Sequence, residues 1–178
     1  MAIEAGTYKL GPDNATLSVK TGRSGAASKA GHNLEIEVGS WEATLEVGDS
    51  SSLELTADAT SLSVVKGEGG AQKLGDDEKA DIKKSIDQDV LKKESVEFSS
   101  KDVEISDSGL KVSGDLSIAG KSEPVSFDVS VGDDGKLTGS TTVKQTDWDI
   151  KPYSALFGAL KVNDEVEVVV EGSLPSAS

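Results

Sequence analysis

His32 is the one histidine of the chain, and there are no cysteines. A lone imidazole can exchange a proton near neutral pH or hydrogen-bond a ligand head group. To act as a general base it would need a nucleophile and an orienting acid beside it. The serines are numerous, but none sits in a Gly-x-Ser-x-Gly elbow. The competing role for His32, set between Gly31 and Asn33, is a rim residue bonded to backbone, and that role is favoured. A zinc site would have to be completed by carboxylates alone, far from the usual donor sets. Asp76-Asp77-Glu78 and Asp133-Asp134 lack the alternate spacing by which a calcium loop converges its oxygens; they read as a helix start and a turn. Gly67-Glu68-Gly69-Gly70 lacks the Lys-Ser/Thr of a phosphate loop. No catalytic residue, no metal and no cofactor is therefore expected, and His32 is kept as a polar contact for a ligand.

Charge narrows the partners. Acids outnumber bases 32 to 18, a net charge of −14. Nucleic acid and anionic membrane surfaces should both be repelled. No apolar run reaches the roughly 20 residues of a membrane span, so stable membrane insertion is not expected. Met1-Ala2-Ile3-Glu4-Ala5 has neither a basic start nor an apolar stretch, which points to the cytoplasm; an exported chain trimmed of its leader would read the same.

The elements that would position these residues are mostly strands. Leu34, Ile36 and Val38 alternate with Glu35 and Glu37, and Trp41, Ala43, Leu45 and Val47 alternate with Glu42, Thr44 and Glu46. Such alternation suits a sheet with one face in water. Gly39-Ser40 joins the two runs as a hairpin. Leu53, Leu55, Ala57 and Ala59 continue, and a phase slip puts a bulge or bend near Thr60-Ser61. A second slip separates Val96 and Phe98 from Val103 and Ile105. Leu110, Val112 and Leu116, then Phe127 and Val129, then Leu137 and Val143, then Val166 and Val168 complete the pattern. From Asp76 to about Leu91 the rhythm changes: Ile82, Ile86 and Val90 recur every fourth residue, one face of a helix with Asp76 as N-cap.

Small residues (Ala43, Ala57, Ala59, Gly114, Gly139, Thr141) recur at core-phase positions, where a solid sandwich would place larger ones. The fold class expected is all-β: one antiparallel lipocalin-like barrel of about eight strands with one inserted amphipathic helix, spanning 1–178 as a single domain. A packed β-sandwich is the rival. In a barrel with room inside, Leu34, Ile36, Trp41, Leu45, Leu55, Phe98, Val112, Leu116, Phe127, Val129, Val166 and Val168 face the lumen. Leu at Gly114 or Gly139 should fill that lumen and spare the fold. Trp148 precedes Pro152-Tyr153 and the short apolar stretch Ala155-Leu156-Phe157, which reads as a rim segment or short helix over one mouth; Trp148 and Phe157 join the ligand-binding set.

Gly31-His32-Asn33-Leu34, Trp41, the run Asp81-Ile82-Lys83-Lys84-Ser85-Ile86 and the segment Val96-Glu97-Phe98-Ser99-Ser100 resemble the YceI-like family. So do Val112-Ser113-Gly114-Asp115-Leu116-Ser117-Ile118-Ala119-Gly120 and Pro124-Val125. The resemblance runs from about Thr7 to Pro175. It implies a lipocalin-like barrel that holds an isoprenoid or other lipid-like chain. The chain is accordingly expected to bind and sequester or carry a long apolar ligand, without enzymatic activity. The alternatives are a structural or interaction barrel filled by its own side chains, and a weak hydrolase using His32. A homodimer is compatible with the sequence.

Overall fold

The computed structural model describes residues 3–70 and 74–178, except the side chains of Ala155 and Leu156. The chain opens with β1 (Gly6–Leu10) and β2 (Ala15–Lys20), then a short β3 (Arg23–Ser24), β4 (His32–Val38), β5 (Trp41–Val47), β6 (Ser52–Ala57) and β7 (Leu62–Gly69). Helix α1 (Asp76–Ser85) follows, running into a π-helical turn at Ile86–Val90. The long strands β8 (Val96–Ser106), β9 (Gly109–Ile118), β10 (Lys121–Val131) and β11 (Lys136–Lys144) form a meander. Two short strands, β12 (Ser154–Ala155) and β13 (Leu160–Val162), precede the last, β14 (Glu165–Ser173).

Eleven strands make one antiparallel sheet in the order β1-β5-β6-β8-β9-β10-β11-β14-β2-β4-β7, which curls into a half-barrel. Strands β12-β13-β3 form a separate small sheet. The strand number exceeds the eight expected for a definite reason. Strand β1 is five residues of mixed character and the small-sheet strands are two or three residues long. A period of two cannot show itself over so few positions. The expected bulge in β8 is present as a register shift between Ser100 and Asp102. Another shift, between Glu35 and Ile36 against β7, pushes Val65 out to 45% exposure.

The bend near Thr60-Ser61 is a 3-10 turn, Ala59–Ser61, where the chain leaves β6 for β7. Asp58 caps it, accepting from the Thr60 N–H at 2.9 Å and the Thr60 hydroxyl at 2.7 Å. Those bonds, the hydroxyl's foremost, hold the Asp58 carboxyl below the usual carboxylate range. The turn is sewn to the Gly39-Ser40 connection by Gly39 N–H to Ser61 O and Asp58 N–H to Ser40 O, both 2.9 Å. That connection does not close the expected hairpin: β4 pairs with β2 and β7, and β5 with β1 and β6, so Gly39-Ser40 carries the chain from one part of the curled sheet to another.

Helix α1 packs against β7, one of the two terminal strands of the sheet. Lys83 fixes it there, donating from Nζ to Thr60 O at 2.5 Å and Leu62 O at 2.9 Å. Its N-cap is Gly75 rather than Asp76, and the cap makes no side-chain bond. Asp76, Asp77 and Glu78 occupy the first turn, where they complement the helix dipole without capping it. Ile82, Ile86 and Val90 pack against the core as the spacing predicts, and Leu91 is buried at the end of the π turn. Ile86→Asp should lower stability by about 2 kcal/mol, because Ile86 is only half-buried and a charge there keeps partial access to water. A melting temperature unchanged by that substitution would remove the helix from the core.

Candidate ligand cavity

Curling a sheet with small residues on its inner face leaves space, and here the space is a cavity of about 920 Å³. Strand register gives it two ends. Leu17, Leu110, Val129 and Leu137 lie toward the inner end; Ile118, Val125, Val143 and Val166 lie toward the other, where Trp148 and Ile150 cap a second small apolar cluster. This second end is the mouth, because the lining residues there include exposed polar ones, Lys151, Tyr153 and Lys161. Ile82, Ile86 and Val90 complete the wall from the helix side.

Most of the residues expected from strand parity are found on the cavity surface. Leu34, Ile36, Trp41, Leu45, Leu55 and Phe98 line it from β4, β5, β6 and β8. Leu116, Phe127, Val129, Val166 and Val168 line it from β9, β10 and β14. The Phe98 and Phe127 rings meet at 5.4 Å between centroids, tilted by 59°. Trp148 also lines the cavity, and its indole N–H donates to Leu116 O at 2.8 Å, which locks the ring to β9. Trp41 is 7% exposed, and its enclosed N–H meets no acceptor among the described residues, so packing alone holds that ring.

Two expected members are elsewhere. Val112 is 2% exposed, in the core behind the cavity surface. Parity decides which face a residue takes, but not whether a neighbouring side chain covers it. Phe157 is fully exposed and touches no part of the cavity. It sits at φ 56° in a tight turn before Gly158 at φ 85°, and this left-handed pair turns the ring outward. The Ala155 and Leu156 side chains, also read as part of a rim, lie outside the described residues.

His32 starts β4, half-buried at the mouth and close to Gly67 and Gly70 of the facing edge. Arg23, unnoticed in the sequence, bridges this rim: Nη1 donates to Gly31 O at 2.6 Å and to Glu68 O at 2.8 Å. Behind the mouth Asp164 accepts from the Thr146 hydroxyl at 2.6 Å and N–H at 2.8 Å, and the hydroxyl bond above all lowers its pKa. Lys121 bonds Asp149 at 3.2 Å and Glu123 at 3.4 Å, which raises its pKa, Asp149 contributing most. Among the described residues no group of three or more acids and His is placed to hold a metal ion. Leu17, Val19, Ile118, Val125 and Val143 also line the cavity; they share the parity of the residues named above and could have been read from it. An apolar interior with polar groups gathered at one end can hold an apolar chain tail-first.

Comparison with known proteins agrees with this architecture. The protein is similar in structure to BcnA of Burkholderia cenocepacia, with a TM-score of 0.62 and 17% identity over 88% of this chain and 94% of that one. It is also similar to a YceI protein of Campylobacter jejuni, with a TM-score of 0.55 and 18% identity over 79% and 84% of the two chains. No curated protein sequence matches. No helix among the described residues is long and apolar enough to cross a membrane. The YceI-like domain model matches residues 8–174, and the chain therefore belongs to the YceI-like family, a family of binding proteins.

Proposed function

We propose that this protein binds and sequesters or carries a long apolar chain, of isoprenoid or similar lipid type, inside the barrel. One observation carries the reading: a cavity of about 920 Å³ whose inner half is walled by Leu, Val and Ile side chains. An empty volume of that size lined by hydrocarbon is costly unless something apolar fills it. Leu34, Ile36, Trp41, Leu45, Leu55, Phe98, Leu116, Phe127, Val129, Trp148, Val166 and Val168 touch the chain. The head group stays at the mouth near His32. Membership of a family known for polyisoprenoid-binding barrels supports the assignment.

Native mass spectrometry of the protein purified from its own host tests it. A retained mass that extracts into organic solvent after denaturation is expected. A protein that emerges empty and takes up no fluorescent fatty or prenyl chain would overturn the proposal. His32→Ala should weaken chain binding by no more than about fivefold, the worth of one neutral hydrogen bond of about 1 kcal/mol. A hydrolase would behave otherwise, since losing a general base costs about 100-fold or more in rate. Turnover of lipid esters or pyrophosphates that disappears in His32→Ala would favour the enzyme.

A further inference from the structure

The charge of this protein is distributed unevenly, and the exception lies at the mouth. Residues 21–31 carry Arg23 and Lys29 and no acid; residues 150–162 carry Lys151 and Lys161 and no acid. These are long acid-free stretches for a chain with 32 acids. The fold zips the two together. Strand β3 pairs with β13, with Arg23 opposite Val162 and Ser24 opposite Lys161. Ala27 N–H donates to Ala159 O at 2.7 Å, and Asn163 N–H to Gly22 O at 3.0 Å. At Gly25, φ 98°, a side chain would collide with the Ala159 carbonyl, so glycine permits the close approach. The result is one continuous lip, part of which lines the cavity.

That lip presents aromatic rings to solvent. Phe157 is fully exposed and Tyr153 is 55% exposed. An aromatic residue at a left-handed φ, with its ring in water, carries both backbone strain and an unburied apolar surface. No side chain among the described residues covers that ring. Lys29, Lys151 and Lys161 are exposed and make no ion pair among the described residues. Of the acids that flank the lip, Glu68 pairs with Lys66 and Asp149 with Lys121, while Asp164 accepts from Thr146 and keeps its negative charge. Asp81 and Asp89 stand across the mouth on the helix wall.

We infer that this lip docks on an anionic lipid bilayer, with Phe157 entering the interface and the lysines meeting lipid phosphates. The chain taken up under the proposed function then passes between bilayer and cavity without crossing water, so the inference rests on that function. The net charge of −14 does not forbid it. Surface charges act over a Debye length of about 8 Å at physiological salt. A strand of 11 residues such as β10 spans about 35 Å. The acids of the inner end therefore lie several screening lengths from a bilayer at the mouth. Each exposed lysine near such a surface raises partitioning by about fivefold.

The test is co-sedimentation with vesicles of phosphatidylcholine alone or with about a third phosphatidylglycerol. The protein should bind the anionic vesicles, fail to bind the neutral ones, and release when salt rises several-fold. Lys29→Glu, which removes one positive charge and adds one negative, should weaken binding by about 25-fold. Phe157→Asn removes the ring at a backbone position that asparagine tolerates, and should weaken binding at unchanged salt dependence. Neither residue lines the cavity, so both variants should still take up a fluorescent prenyl chain from dilute aqueous solution while losing uptake from vesicles. Equal vesicle binding by wild type and both variants, no binding to either vesicle, or binding only to an acidic protein would overturn the docking surface. A wild type that docks but takes up no chain from water would overturn the proposed function and leave the surface standing.

Discussion

Gly139→Leu should weaken capture of a long apolar chain by about two orders of magnitude and leave the fold in place. Gly139 lines the inner half of the cavity, paired with Val129 on one side and Val170 on the other. A Cβ there would stand 3.2 Å from a Val129 methyl and from the Asp128 carbonyl, and 3.3 Å from a Val170 methyl. Those contacts are tight, and a few tenths of an ångström of movement relieves them at a cost of about 1 kcal/mol. A strand glycine is itself unfavourable, which offsets part of the cost. The added side chain brings four carbons into space a ligand would use. Displacing about four methylenes, each contributing about 0.8 kcal/mol, lowers affinity about 200-fold. Gly114→Leu, which parity alone makes equivalent, should instead cost more than about 3 kcal/mol of stability. A side chain at Gly114 would run into the Ser99 carbonyl and the Ser100 backbone, beside the register shift of β8. Backbone on a neighbouring strand cannot step aside as a side chain can. Thermal melts and chain titrations of the two variants separate the outcomes. Unchanged capture by a folded Gly139→Leu protein would mean that the inner half holds no ligand.

The contrast between those two glycines shows what was legible in the sequence. Alternation of apolar residues with Glu and Thr along β4 and β5 exists because one face meets water, so parity identified the inner wall there. The i, i+4 spacing of Ile82, Ile86 and Val90 identified the inward face of the helix for the same reason. Parity says nothing of what lies opposite. Gly114 and Gly139 carry the same signal, and only the distance to the next strand distinguishes them. Val112 is covered and Leu116 is not, although both have the same phase. The mouth was the least legible part. Arg23, Lys29, Lys151 and Lys161 are scattered over 139 positions of sequence and gather only because the short β3 and β13 pair. Phe157 looked like a cap because an apolar residue near a rim usually turns inward. Its backbone conformation, set by the turn into Gly158, decided otherwise.

Affinity for a neutral apolar chain should rise with chain length by about fourfold for each methylene, and then stop rising. The slope follows from the apolar wall, since each CH₂ moved from water into hydrocarbon gains about 0.8 kcal/mol. The plateau follows from the volume. A cavity of about 920 Å³ takes roughly 30 groups at about 30 Å³ each, the share of a water molecule in the liquid and close to that of a methylene. Imperfect filling brings the limit to about 20–30 heavy atoms, beyond which added carbons must protrude through the mouth and gain little. The first several methylenes only offset the cost of lost translational and rotational freedom, at least about 4 kcal/mol. Short chains of about six carbons should therefore bind no better than millimolar, while chains of about fifteen should bind tightly. The head group contributes little by comparison, so alcohol, amide and ester of one chain should differ by less than about tenfold, and their binding should respond weakly to salt. Isothermal titration across a series of monodisperse alcohols, held below their aggregation limits, measures slope and plateau together. A side-chain-filled barrel would give no slope at any length. A shallow surface groove would give a slope that ends within a few carbons. A break near twenty carbons would identify the cavity as the binding site, and Gly139→Leu should move that break about four carbons shorter.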